Sequence, residues 1–195
     1  MGRIYYLMGK SASGKDTIYR ELQRQFSEIK TVVLYSTRPM REGEKDGREY
    51  FFVDEATCER LEEQGKIIEL RAYQTVYGVW KYFTVDDGQI LLDKKEYLMI
   101  GTLESYEKTK MYFGEENLEP LYIEVEEGLR LERALKREKE QVNPRYTEMC
   151  RRFLADEEDF SEEKLEKAGV SCRYNNEEME TCLKEIAAVI KKKSC

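Results

Sequence analysis

The stretch Gly9-Lys10-Ser11-Ala12-Ser13-Gly14-Lys15-Asp16-Thr17 constrains this 195-residue chain more than any other. It directly follows the apolar run Ile4-Tyr5-Tyr6-Leu7-Met8 and opens an amphipathic segment. Two glycines bracket four residues and a lysine follows. In that pattern a strand turns into a helix, backbone N–H groups can curl round a phosphate, the helix adds its positive N-terminal end and Lys15 adds a point charge. The expectation is a nucleotide-phosphate site built from Gly9, Ser11, Ala12, Ser13, Gly14, Lys15, Asp16 and Thr17. Asp16 stands where the usual pattern has Ser or Thr, so the nearest hydroxyl for a metal, direct or through water, belongs to Thr17. The alternative is a glycine-rich turn that holds no ligand.

Composition narrows the remaining classes. With 41% hydrophobic residues the chain can bury one substantial core, while 37% charged residues and a net charge of -7 argue against nucleic acid as the main partner. Histidine is absent, which excludes His-based triads, relays and metal sites. The five cysteines, Cys58, Cys150, Cys172, Cys182 and Cys195, form no metal-type pairing and read as reduced thiols. No apolar run approaches the ~18 residues of a membrane span. The expectation is a cytoplasmic protein with no membrane partner.

Along the chain, Ile18, Leu22 and Phe26 lie four apart and predict a helix from Thr17 to about Phe26. Thr31-Val32-Val33-Leu34-Tyr35 predicts a strand beside the first in a parallel sheet. It runs into Ser36-Thr37-Arg38-Pro39-Met40-Arg41-Glu42-Gly43-Glu44-Lys45-Asp46-Gly47-Arg48-Glu49-Tyr50-Phe51-Phe52-Val53. Arg38 and Arg41, three apart, suit a phosphate dianion, because guanidinium is planar, multi-donor and always charged. Taken alone they could equally be solvated loop charges. The run resembles the monophosphate site of guanylate kinases, whose pattern joins Ser/Thr-Thr-Arg-x-x-Arg to Gly-Glu, an Asp-Gly pair and a Tyr-x-Phe-Val strand. Such kinases are nucleoside monophosphate kinases, which commonly carry the one-residue displacement seen at Asp16.

That resemblance implies roles further along. Ser36 falls near the guanine carbonyl, Glu69 at the carboxylate that accepts from guanine N1 and its 2-amino group, and Tyr50 and Tyr77 beside the acceptor phosphate. The bland alternative for Glu69 is a solvated edge-strand position. Two departures stand out: Val79-Trp80 follows Gly78 where the family has Thr or Ser, and Met99 and Gly101 occupy strand positions where it usually has aspartates. Thr84–Gly88 predicts a turn and helix start, and Tyr97–Ile100 a central strand. Arg137 and Arg152 match arginines of a helical lid that closes over the transferring phosphoryl group, although Glu132, Lys136, Glu138 and Lys139 also fit an ordinary salt-laced helix. Asp156-Glu157-Glu158-Asp159 reads as a solvated helix face, and Asn175 as a contact to adenine or a helix cap.

The fold class expected is α/β: a three-layer P-loop kinase core with a mostly parallel sheet, a small mixed-β subdomain for the monophosphate, and a helical lid. In residue terms the core takes 1–35, 85–129 and 156–195, the subdomain about 36–84 and the lid about 130–155. The resemblance implies transfer of the ATP γ-phosphoryl group to GMP, with ATP and Mg²⁺ as cofactors and a monomer or homodimer as the working unit. The competing readings are a kinase for another small phosphate ester, such as a ribose bisphosphate, and a non-catalytic guanylate-kinase-like binding module.

Overall fold

Side chains along the first strand, β1 (Ile4–Met8), divide between two layers, and all five are buried. Tyr5 and Leu7 pack with Ile18 and Leu22 of α1 (Lys15–Gln25) and with Cys182, Ile186 and Ile190 of α7 (Met179–Lys193). Ile4, Tyr6 and Met8 pack with Leu103 and Tyr106 of α3 (Leu103–Phe113) and with Leu165 of α6 (Glu162–Lys167). A strand covered by helices on both faces has to be apolar throughout, which is why this run shows no polar alternation. The computed structural model describes residues 2–75 and 78–193.

The larger sheet is parallel throughout, in the order β2 (Lys30–Thr31), β7 (Tyr97–Gly101), β1, β8 (Leu118–Glu124), β9 (Arg173–Asn175). With α1 and α7 on one face and α3 and α6 on the other, it makes the three-layer core expected. The smaller sheet is mixed, in the order β4 (Phe51–Phe52), β3 (Tyr35–Ser36), β6 (Gly78–Val85), β5 (Ile67–Thr75). Its apolar face packs on α2 (Glu55–Glu63), burying Cys58, Phe83 and Val85. Asp54 caps α2 by accepting the Thr57 N–H at 2.8 Å. Two further helices, α4 (Glu127–Lys139) and α5 (Tyr146–Asp159), follow β8 and stand by the phosphate loop.

Two local expectations are corrected. The single strand predicted over Thr31–Tyr35 is split: Lys30 and Thr31 pair with β7, not β1, while Tyr35 and Ser36 belong to the smaller sheet. Both edges of β1 are already taken, by β7 and β8, so no place beside it remains. The helix start predicted near Thr84 is instead the end of β6, where Ile67 pairs with Val85 and Glu69 with Thr84. β-branched and aromatic residues from Val79 to Val85 favour that hairpin.

Candidate active site

The phosphate loop leaves β1 at the carboxyl end of the parallel sheet, the end at which open α/β sheets bind ligands. Gly9 passes so close to β8 that a Cβ there would fall 2.6 Å from the Ile123 carbonyl oxygen. Gly14 caps α1 in the left-handed region, with φ 84°, and Ala12 takes the same region with φ 64°. Ser13 N–H bonds the Lys10 carbonyl at 3.2 Å and Thr17 N–H the Gly14 carbonyl at 3.0 Å. At a helix start the N–H groups of Lys15 and Asp16 have no intrahelical acceptor. Lys15 is half-buried, and Asp16 and Thr17 are exposed.

Among the described residues, the buried side-chain polar atoms without a partner are Ser13 Oγ and Asn176 Oδ1, and both line this loop. Asn176 donates its amide to the Ser13 carbonyl at 2.7 Å, and a Cβ on Gly14 would meet that amide at 2.4 Å. The Ser13 hydroxyl, an unpartnered donor beside a turn with free N–H groups, fits a bound polyphosphate, whereas Asn176 Oδ1 can only accept a hydrogen bond. Asn175, the residue singled out in the sequence, is exposed and binds Glu177, accepting its N–H at 2.8 Å. Its buried neighbour, Asn176, makes the contact with the loop.

The outer limb of the loop is held by α4 and α5. Lys10 Nζ lies 2.9 Å from Glu127 and 2.6 Å from Glu157. Burial alone would lower the Lys10 ammonium, but the hydrogen bonds it donates to Glu157 and Glu127 outweigh it and hold the group above its ordinary value. The Ser11 N–H donates to Asp156 at 2.8 Å. Arg130, only 1% exposed, ties these parts together: it binds Glu127 at 2.7 Å and Glu157, lies 3.6 Å from Asp156, and stacks on Phe153. The acidic run at 156–159 is therefore only half solvated; Asp156 and Glu157 face the loop because Arg130 and Lys10 draw them in, while Glu158 and Asp159 stay exposed. Arg130 was not marked by the sequence reading, although its placement three residues after Glu127 is a helix-pair signal.

Just past β3, Arg38 is 3% exposed and forms a two-pronged bond to Glu44 at 2.7 and 2.6 Å, with its guanidinium 5.1 Å from the centres of both Tyr50 and Phe52. Hydrogen bonds from Arg38, and then from the Arg41 N–H at 2.7 Å, pull the Glu44 carboxyl down to about 2. The Arg41 side chain is exposed. Ser36 is buried and donates to the Lys81 carbonyl at 3.0 Å. Glu69 is buried as well, taking Arg71 at 3.0 and 3.2 Å and the Thr84 hydroxyl at 2.9 Å. Burial first, and then the Glu69 charge, push the Tyr6 hydroxyl of β1 up to about 12. Tyr77 lies outside the described residues. A cleft of about 180 Å³ runs between α1 and the start of the smaller sheet, with Tyr50 and Met99 in its walls. A wider recess of about 460 Å³ along α4 shares no residue with the glycine–lysine loop or with Arg38 and its partners.

Met99 and Gly101 both have structural partners. Met99 is buried opposite Tyr6 in the parallel register. The space over Gly101 is filled by the Tyr6 hydroxyl, which donates to Ser105 Oγ at 2.7 Å. On the helices, Arg137 is exposed and Arg152 lies 3.7 Å from Glu148, so both guanidinium groups face solvent. Arg133, on the same helix as Arg137, bonds the carbonyls of Asn176 and Glu177 at 2.9 and 3.2 Å and so anchors the chain after β9.

A parallel core whose first strand opens through a glycine–lysine loop into a helix, faced by a smaller arginine-bearing sheet, defines a P-loop α/β protein of the nucleotide-kinase fold. Residues 1–85 match the family model described as guanylate kinase. It is 44% identical over 77 residues to the guanylate kinase of Novosphingobium aromaticivorans, covering 40% of this chain and 34% of that relative. With the guanylate kinase of Thermobifida fusca it is 43% identical over 67 residues, 34% of each chain. These matches span about a third of the relatives' own length. The crystal structure of guanylate kinase from Anaplasma phagocytophilum shares the fold across 98% of this chain and 86% of its own, with a TM-score of 0.65 and 23% identity. No helix among the described residues is long and apolar enough to cross a membrane.

Proposed function

We propose that this protein phosphorylates GMP with ATP, giving GDP and ADP. The observation that carries the reading is the presence of two cationic groups suited to anions: a lysine-bearing loop at the sheet's carboxyl end, and a buried arginine held by Glu44 between two aromatic rings beside the smaller sheet. In this reading Lys15 and the loop amides not already bonded within the protein hold the ATP phosphates, with the Ser13 hydroxyl completing the cradle and the Asn176 amide bracing the loop. Arg38, Arg41, Tyr50 and Tyr77 hold the acceptor phosphate. An oxygen of that phosphate attacks the γ-phosphorus, the bond to the β–γ bridging oxygen breaks, and ADP leaves with the electron pair. The acceptor is already ionised, so no general base is required. Arg137 and Arg152, solvent-facing here, would turn inward to neutralise charge on the transferring oxygens, and positioning with electrostatics supplies the catalysis. Mg²⁺ bound with the nucleotide would neutralise its β- and γ-oxygens, and the exposed Thr17 hydroxyl is the residue of this chain offered to it.

The test is ADP formation from Mg-ATP with GMP, dGMP, AMP, UMP and phosphorylated riboses, with Lys15→Ala as control. GMP-dependent turnover that drops on the order of 10²-fold or more in the variant is the expected result. Turnover confined to a ribose phosphate, or nucleotide binding with no turnover, overturns it.

A further inference from the structure

Strand register decides what the smaller sheet turns toward the core. Ser36 pairs with Tyr82 across β3 and β6, and across β5 and β6 Arg71 pairs with Tyr82 and Glu69 with Thr84. Alternation places all five on one face, opposite the apolar face that covers α2. Lys108 of α3 donates to the Leu70 carbonyl at 2.9 Å and brings the core against this strand.

On that polar face the Glu69 carboxylate already takes three donors: Nε and Nη2 of Arg71 and the Thr84 hydroxyl. The Glu69 side chain is 1% exposed and that of Arg71 10%. An ion pair buried to this degree gains little stability over apolar residues of similar volume, because desolvation of both charges offsets their attraction. Its use has to be sought in what it presents. A guanidinium carries five N–H donors in a fixed fork, and the Nη1 side is not used by Glu69. Arg71 stands opposite Tyr82, whose ring meets Tyr50 edge-on at 5.5 Å, and Tyr50 lies under Arg38. One aromatic pair therefore separates the guanidinium of Arg71 from the one assigned to the acceptor phosphate.

We infer that Arg71, held in place by Glu69, reads the acceptor base by donating to guanine O6 and N7. This rests on the GMP reading given above. Guanine shows two adjacent acceptors on that edge, which a guanidinium fork matches, whereas adenine shows a donor at position 6. Glu69 then acts as a positioning residue, in place of direct recognition of N1 and the 2-amino group. The two roles for Glu69 predict opposite responses to altered bases, which makes them separable.

The experiment compares KM for GMP, 7-deaza-GMP, IMP and AMP in the unaltered protein at saturating Mg-ATP, which needs no variant to fold. Recognition by Arg71 predicts that IMP, which keeps O6 and N7, stays within about 3-fold of GMP, and that 7-deaza-GMP, which lacks N7, loses on the order of 10-fold. The paired variant Glu69→Gln with Arg71→Met, which leaves no unpaired buried charge, should abolish the 7-deaza penalty and narrow the preference for GMP over AMP by about 10-fold or more. Strong GMP turnover with 7-deaza-GMP equal to GMP and IMP poor would overturn the role of Arg71 and return recognition to Glu69. Absence of GMP turnover would instead remove the functional reading, and this inference with it.

Discussion

The amide of Asn176 reaches 2.7 Å across to the Ser13 carbonyl, joining the exit of the last strand to the turn that follows the first. Both residues are buried. Asn176→Ala leaves that carbonyl without its donor inside the protein, a loss of about 1–3 kcal/mol. The expected outcome is a lower urea midpoint together with weaker ATP binding, while Asn175→Ala, at an exposed position, changes ATP binding little. Denaturant titration and nucleotide-binding calorimetry check the pair.

Arg130 is the hub that holds Lys10, Ser11 and two helices in register. Arg130→Met keeps the bulk over Phe153 but removes the cation that reaches Glu127, Asp156 and Glu157 together, leaving Glu127 and Glu157 to Lys10 alone. A fully buried pair broken from one side costs about 3–5 kcal/mol, and the exposure of Glu127 and Glu157, 51% and 41% at their side chains, puts the loss here below that range. Arg130→Lys should also fail to restore ATP affinity, because an ammonium cannot span the carboxylates and stack on the ring.

Glu44 gives the acid side of the stability curve a readable component. Its folded-state value of about 2 lies below the ordinary 4.5, so the stabilisation it brings is complete above pH 4.5 and is lost as pH falls toward 2. Glu44→Gln should flatten the dependence of melting temperature on pH within that window and leave the slope above it unchanged. Thermal melts from pH 2 to pH 7 on both proteins test this.

Gly101 has no room for a side chain. A Cβ there would fall 2.3 Å from the Tyr6 hydroxyl and 2.5 Å from Ser105 Oγ. Gly101→Ala should destabilise by about 1–3 kcal/mol through overpacking. Adding Tyr6→Phe, which removes the obstructing oxygen, should recover part of that loss, so the two changes combine non-additively in a double-mutant cycle.

The features legible in the sequence are those encoded by neighbours. The glycine–lysine loop, the apolar first strand and the Asp54 cap are each written in a handful of consecutive residues. What escaped are contacts between distant residues: Ser13 and Asn176 are separated by 163 positions, and Ser11 and Arg130 by 119. The split of the second strand escaped for a related reason, since the choice between two sheets depends on which edges of β1 are already occupied. Glu69 stands out as a polar residue in an apolar run, but nothing in the neighbouring residues marks Arg71, two positions on, as its partner.

Residues 32–34 carry the chain from the larger sheet to the smaller one, and residues 86–96 carry it back. Gln89, on the return crossing, grips Val33 on the outward one at both ends of its backbone, accepting its N–H at 3.0 Å and donating to its carbonyl at 3.2 Å. The two crossings are thereby riveted into a single axle, and a swing of the smaller sheet over the phosphate loop has one axis to turn about instead of two loose tethers.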